Sequence, residues 1–266
     1  MSDERSDGTG PTALVSGGGT GIGEATARLL ARHGYRLAVC GRRSEPLRRV
    51  AADIGGIDIA ADLTSPEDCH RSVTSVLGAW GRLDALVLNA GVTRSGTVAD
   101  ISFGHWHETI STNLTAAFLL AREALPALLS AQGAIVGIGS VAALNVGPSS
   151  AAYAASKAGL IALVRSMAFD FGPAGLRANV VCPGWVQTEM ADSEVAELDA
   201  DRVRAYERAT AFVPARRAAR AVEVAEAVVW LLSHAASYVN GAVLTVDGGT
   251  SIVDAGSIAF WPASPG

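Results

Sequence analysis

Tyr153 and Lys157 stand four positions apart in the run Y-A-A-S-K, and on a helix that spacing puts both side chains on one face. A phenol can hand a proton to a developing alkoxide, or take one from an alcohol, if its pKa is drawn from about 10 toward neutrality. A cation about 4 Å away, at an effective dielectric near 20, supplies roughly 4 kcal/mol, on the order of three pKa units before desolvation offsets part of it. Lys157 can be that cation. Of the 21 basic residues, 20 are arginine and this one alone is lysine. A compact ammonium fits a tight pocket that the broad arginine fork would not. Between residues 141 and 164 nothing else is charged, and a helix with no charged face is normally buried all round. An ammonium there is costly unless it has partners, which marks a functional position. In isolation the short pattern would suit a surface lysine beside a core tyrosine equally well; the charge-free surroundings favour chemistry.

A second chemical feature lies near the start. The stretch S-G-G-G-T-G-I-G carries glycines at 17, 18, 19, 21 and 23, between an apolar run and a helix-like one. Glycines let a ligand approach the backbone, and the helix N-terminus offers free N–H groups to a pyrophosphate. The spacing Gly17-x3-Gly21-x-Gly23 differs from GxGxxG, and a merely flexible turn is the weaker reading at this place in the chain. About 20 residues on, where a carboxylate would bind the ribose hydroxyls of NAD, the chain has Cys40-Gly41-Arg42-Arg43. Two guanidiniums without an acid suit a 2′-phosphate. NADP(H) is therefore expected over NAD(H).

The elements that must position these groups alternate. Strands are expected at 12–16, 35–40, 57–60, 85–88, 134–138, 177–181 and 242–246, and helices at 21–33, 44–53, 66–79, 102–130, 150–171 and 222–233. Nearly continuous apolar strands indicate a parallel sheet covered on both faces. The expectation is a single doubly wound α/β (Rossmann) domain over 11–250 with a seven-stranded sheet. Residues 1–10 read as a disordered tail, 251–266 as an extension, and the acidic segment 188–214 as a lid.

The 266 residues, 49% hydrophobic and 18% charged, are enough for one large domain. A net charge of −5 gives no reason to expect nucleic acid or an anionic membrane. Cys40, Cys69 and Cys182 suit buried thiols in a reducing cytoplasm better than a disulfide framework. No signal peptide or membrane span is evident. The scattered histidines 33, 70, 105, 107 and 234 suggest no metal site. The helices near 113–130 and 150–164 carry too little charge to be covered by one sheet face alone, so a homo-oligomer is expected, a tetramer before a dimer. Phe260 and Trp261 on the extension could reach a neighbouring subunit.

Together these features resemble the short-chain dehydrogenase/reductase family, in its single-domain branch of about 250 residues. The resemblance rests on the Gly17/Gly21/Gly23 loop, Asp62-Leu63, Asn89-Ala90-Gly91, Asn113, Ser140, Tyr153 with Lys157, and Pro183-Gly184 with Thr188, in that order. It covers nearly the whole chain. Two departures are Ser16, where the family usually has Thr, and Leu88, where it usually has Asn.

The resemblance implies an oxidoreductase that moves a hydride between a nicotinamide cofactor and a small carbonyl compound or alcohol. Asn113, Ser140, Tyr153 and Lys157 would form its catalytic set. Ser140 would hold the substrate oxygen, Lys157 would also bind the nicotinamide ribose, and Asn113 would position a water relaying protons to Lys157. The cofactor would lie along Gly17, Gly19, Thr20, Gly21, Ile22 and Gly23. Asp62 and Leu63 would meet its adenine, with Asn89, Ala90 and Gly91 supporting the strand ends. Pro183, Gly184, Val186 and Thr188 would hold the carboxamide end. By family position the substrate pocket would comprise Ala142, Leu144, Val146, Trp185 and Met190, all apolar, which suggests a largely apolar ketone or secondary alcohol. A non-catalytic regulator that senses dinucleotides on the same fold is the alternative, ranked lower because the catalytic set is complete.

Overall fold

The computed structural model describes residues 10–260. Of the tail expected at 1–10, residues 1–9 lie outside the described residues, as does Trp261. Seven parallel strands form the sheet: β1 (Thr12–Ser16), β2 (Arg36–Gly41), β3 (Ile57–Ala60), β4 (Ala85–Leu88), β5 (Ala134–Ile138), β6 (Arg177–Pro183) and, last in the chain, Val243–Val246. Counting that last strand as β9, the spatial order is β3-β2-β1-β4-β5-β6-β9. The chain reverses direction across the sheet between β1 and β4, the place where doubly wound sheets bind ligands beyond the strands' carboxyl ends.

Period-two alternation sorts the strand side chains onto two faces. Leu14, Ala38, Cys40, Leu86 and Leu88 pack on one face with α3 (Pro66–Trp80), α5 (Ala116–Ser130) and α6 (Ala151–Phe171). Ala13, Val15, Leu37, Val39 and Val87 face α1 (Gly21–Arg32), α2 (Ser44–Ile54) and a helix at Ala221–Leu232. Local signals set the helix ends. Ser65 caps α3, accepting from the Asp68 N–H with Pro66 in the first turn, and Gly81 closes it with φ of 71°. Arg177, at the start of β6, donates to the carbonyls of Leu231 and Leu232 in the last turn of that helix and of Ser233 and Ala236 just after it, where a cation meets the negative pole of the helix.

Two features refine the expected pattern. The helix anticipated over 102–130 is α4 (Phe103–Ile110) and α5 joined by a π-helical turn at Ser111–Thr115, with Asn113 buried at its centre. The acidic segment 188–214 folds into α7 (Glu189–Val195) and α8 (Arg202–Ala209), which share a small core of Ala191, Val195, Ala205, Tyr206 and Ala218. A short ladder of β7 (Val186–Gln187) and β8 (Ala219–Arg220) pins both ends of this segment; the helix at Ala221–Leu232 is then α9. No helix among the described residues is long and apolar enough to cross a membrane.

Candidate active site

The loops at the carboxyl ends of the strands enclose a cavity of about 630 Å³. One end is the glycine loop. Gly17 and Gly21 have φ of 64° and 57°, a conformation that favours glycine. A Cβ at Gly23 would stand 2.3 Å from the Gly17 carbonyl oxygen, and one at Gly17 would stand 2.8 Å from Asn89 Nδ2. Gly17, Thr20, Gly21 and Ile22 line the cavity. Gly19 packs behind the loop against Pro46, and Gly23 against the loop backbone, so these two shape the loop rather than face a ligand. Thr20 makes no side-chain cap to α1, which leaves the first N–H groups of that helix open to an anion.

Asn89 holds the loop from β4. Its Nδ2 donates to the Ser16 and Gly17 carbonyls at 2.9 and 3.2 Å. Ser16 Oγ accepts from the N–H groups of Asn89 and Ala90, so the hydroxyl kept by the Thr-to-Ser departure serves this joint. Ala90, Gly91, Asp62, Leu63, Pro183, Gly184, Val186 and Thr188 all line the cavity. Arg42 and Arg43 line it at the end of β2. Arg43 is engaged with Glu189 at 2.9 Å and Thr20 at 2.8 Å.

At the other end stand Ser140, Tyr153 and Lys157. Ser140 Oγ accepts from the Ala142 N–H at 3.1 Å, opening a 3₁₀ turn at Val141–Ala143, and stands close enough to the Tyr153 hydroxyl to lower its pKa. Lys157 Nζ donates to the Ile138 carbonyl at 2.8 Å and lies 5.8 Å from the centre of the Tyr153 ring. Burial pushes the Tyr153 phenol up to about 12 against the lowering influence of Ser140, and burial brings Lys157 down to about 8. The anticipated depression of the Tyr153 pKa is not seen in the resting site, where burial is the largest influence. Tyr153 holds its proton.

Asn113 does not line the cavity. Its Oδ1 accepts from the Val92 N–H at 2.8 Å, while Nδ2 donates to the Val92 carbonyl at 2.9 Å and Ser156 Oγ at 3.0 Å. The side chain staples the loop after β4 to α6. The π-turn is what aims Asn113 inward, and such turns cluster at functional sites.

On the substrate side Ala142, Trp185 and Met190 line the cavity. Leu144 and Val146 do not: they are 45% and 76% exposed, and Asn145 between them faces inward. Asn145 Nδ2 donates to the Ser251 carbonyl at 3.2 Å. Thr93, Ser95, Thr250 and Glu194 also line the cavity and were not anticipated. Glu194 had a signal, because it lies four residues after Met190 on α7 and so shares its face.

The family profile described as enoyl-(acyl carrier protein) reductase matches residues 17–251. The chain belongs to the short-chain dehydrogenase/reductase family. This reductase-family chain is 38% identical over 239 residues to the 3-oxoacyl-(acyl-carrier-protein) reductase MabA of Mycobacterium avium, covering 90% of this chain and 89% of that protein. It is also 38% identical over 258 residues to protein MoaE of Klebsiella aerogenes, covering 93% and 98%. Among solved structures it resembles levodione reductase, at 30% identity and a TM-score of 0.88 over 92% of this chain and 98% of that one. A variant of actinorhodin polyketide ketoreductase with NADPH aligns at 31% identity and a TM-score of 0.89, over 94% and 100%. This short-chain dehydrogenase/reductase is thus an oxidoreductase of a family that binds nicotinamide cofactors.

Proposed function

We propose that the protein interconverts a ketone and a secondary alcohol with NADP(H), and that Tyr153 is its general acid and base. The observation that carries this reading is the lining of one cavity by the open N-terminus of α1 and by the Ser140–Tyr153 pair with Lys157. The residues present suit such a cofactor: Gly17 and Gly21 take positive φ and line the cavity beside the open start of α1, and the end of β2 has arginines in place of a carboxylate. The ketoreductase neighbour with NADPH supports the same preference.

The cofactor supplies the hydride when bound. Ser140 donates to the substrate oxygen and stabilises the charge that develops there. Tyr153, protonated at rest, gives its proton to that oxygen in reduction and takes it back in oxidation. Lys157 places a positive charge beneath the phenol and steadies its anion. Asn113 fixes the distance between α6 and the loop after β4, and so positions Lys157 indirectly. A Cβ at Gly91 would sit 3.3 Å from Asn113 Oδ1 and 3.4 Å from Lys157 Nζ, so the three are closely packed. The apolar side chains of Ala142, Trp185 and Met190 suit a substrate with an apolar body.

The reading includes a homo-oligomer and a reducing cytoplasm, the latter supported by three buried free thiols. Its test is turnover of carbonyl compounds followed by absorbance of the reduced nicotinamide, with NADPH against NADH and with Tyr153→Phe. A wild-type preference for NADH overturns the cofactor assignment, and undiminished turnover in Tyr153→Phe overturns the catalytic one.

A further inference from the structure

The cavity contains one carboxylate for which the chemistry above has no use. Glu194, on α7, is half-buried and lines the substrate side with Met190 and Trp185. Three neighbouring acids are matched with arginines, Glu189 with Arg43, Asp192 with Arg202 and Asp199 with Arg204, while Glu197 lies outside the cavity lining and adds its charge to the load on Glu194. Glu194 instead has the Thr93 hydroxyl as its polar neighbour on the cavity wall, which acts to lower its pKa against burial. Among the described residues no arginine or lysine is ion-paired to it. Of the cations lining the cavity, Arg42 and Arg43 stand at the end of β2, and Lys157 donates to Ile138.

This placement is unfavourable on two counts. Burial raises the pKa of Glu194 itself, and its charge raises that of Tyr153. An anion here therefore opposes the phenolate that alcohol oxidation requires. Glutamine would fill the same place without either cost, whereas a carboxylate on the cavity wall offers its charge to a cation that enters. A neutral hydroxyl would bond a carboxylate but leave its charge in place. An ammonium would neutralise it, and would relieve the electrostatic load on Tyr153 at the same moment.

We propose that Glu194 recognises a protonated amine on the substrate, making the substrate class an amino ketone or amino alcohol whose apolar body lies against Ala142, Trp185 and Met190. The proposal rests on the oxidoreductase reading and deepens it by naming the group that selects the substrate.

The test uses isosteric pairs in which a methyl replaces the ammonium: 1-amino-2-hexanol with 3-heptanol, and 1-amino-3-hexanol with 4-heptanol. Calorimetric titration at pH 7 into the full chain with NADP⁺ reads affinity without turnover. In at least one pair the amine is expected to bind about tenfold more tightly than its isostere, and Glu194→Gln is expected to erase that preference. Thr93→Val keeps the carboxylate and is expected to keep the preference, so a general defect of the pocket is distinguished from loss of the charge. Equal affinities within both pairs, or a preference that survives in Glu194→Gln, overturn the proposal. Tighter binding of 1,2-hexanediol than of 1-amino-2-hexanol also overturns it, in favour of hydroxyl recognition. Because binding is read, loss or retention of turnover in Tyr153→Phe bears only on the catalytic reading.

Discussion

Arg43 and Glu189 meet at 2.9 Å across the cavity, and the second Arg43 nitrogen donates to Thr20 at 2.8 Å. One guanidinium thereby ties the end of β2 to the glycine loop and to the first turn of α7. Both partners are largely exposed, at 61% and 65%, so the pair contributes about 0.2–1 kcal/mol and opens easily. Arg42 is exposed and makes no ion pair among the described residues. Two adjacent arginines that look equivalent in the sequence thus stand in different states.

Arg42 is therefore expected to carry most of the discrimination between cofactors. A charge-assisted bond to a phosphate contributes about 1.5–3 kcal/mol, so Arg42→Ala should lower the NADPH-to-NADH ratio of kcat/KM by about 10- to 100-fold. Arg43→Ala removes the tie to Glu189 as well, and should raise KM for both cofactors with a smaller change in the ratio. Steady-state kinetics with both cofactors decide the matter; equal ratios for wild type and Arg42→Ala would place the discrimination elsewhere.

Tyr153→Phe should lower kcat by about 10³-fold, the range of general acid–base catalysis, while cofactor affinity measured by fluorescence titration is retained. Lys157→Met should shift the pH profile of alcohol oxidation upward, because a cation that stabilises the phenolate is lost. Glu194→Gln should shift it downward, since the Glu194 charge raises the Tyr153 pKa. Lys157→Arg keeps the charge but replaces a compact ammonium that fits beneath Ile138 with a wide fork, and is expected to be severely impaired. Near wild-type activity in Lys157→Arg would show that charge alone is needed there.

The buried lysine also predicts how stability varies with pH. Its folded pKa of about 8 lies below the unfolded value of 10.5, so between these limits the unfolded chain binds more protons and stability rises with pH. Tyr153 acts in the opposite sense above pH 10, where its folded value of about 12 exceeds the unfolded 10. Within pH 8–10 the lysine therefore acts alone of the two. Urea unfolding should show wild type gaining about 2 kcal/mol relative to Lys157→Met across this window, and parallel curves for the two proteins would exclude a neutral buried lysine.

An uncharged stripe on α6 consists of Ala155, Ala158, Ala162 and Phe169, all exposed, with Phe169 at 85%. On α5 the exposed line contains Phe118, with Arg122 over its ring at 5.8 Å. A second copy of the chain is expected to cover these faces. Light scattering at micromolar concentration should show an oligomer, and Ala158→Arg should shift it toward monomer. A monomeric wild type would refute the association.

Much of this protein was legible from residue order alone, because the signals are local. Apolar runs of strand length, the Ser65-Pro66 start and Gly81 stop of α3, and glycines where α1 begins each act within a few residues. They predicted the seven strands to within about two residues at each end, and the resemblance brought Ser140, Tyr153 and Lys157 to one cavity. Tertiary structure decided whatever depends on direction and long-range pairing. Asn145 lines the cavity where Leu144 and Val146 do not, and its carboxamide is held by the Ser251 carbonyl, a partner 106 residues away. Asn113 proved to be a staple to Val92, a partner 21 residues away. The state of Tyr153 depends on how much water the assembled fold removes, and no spacing in the sequence encodes that burial. Glu194 reads as one acid among several in a polar segment until α7 docks, whereupon the helix turns Glu189 and Asp192 toward arginines and leaves Glu194 facing the cavity.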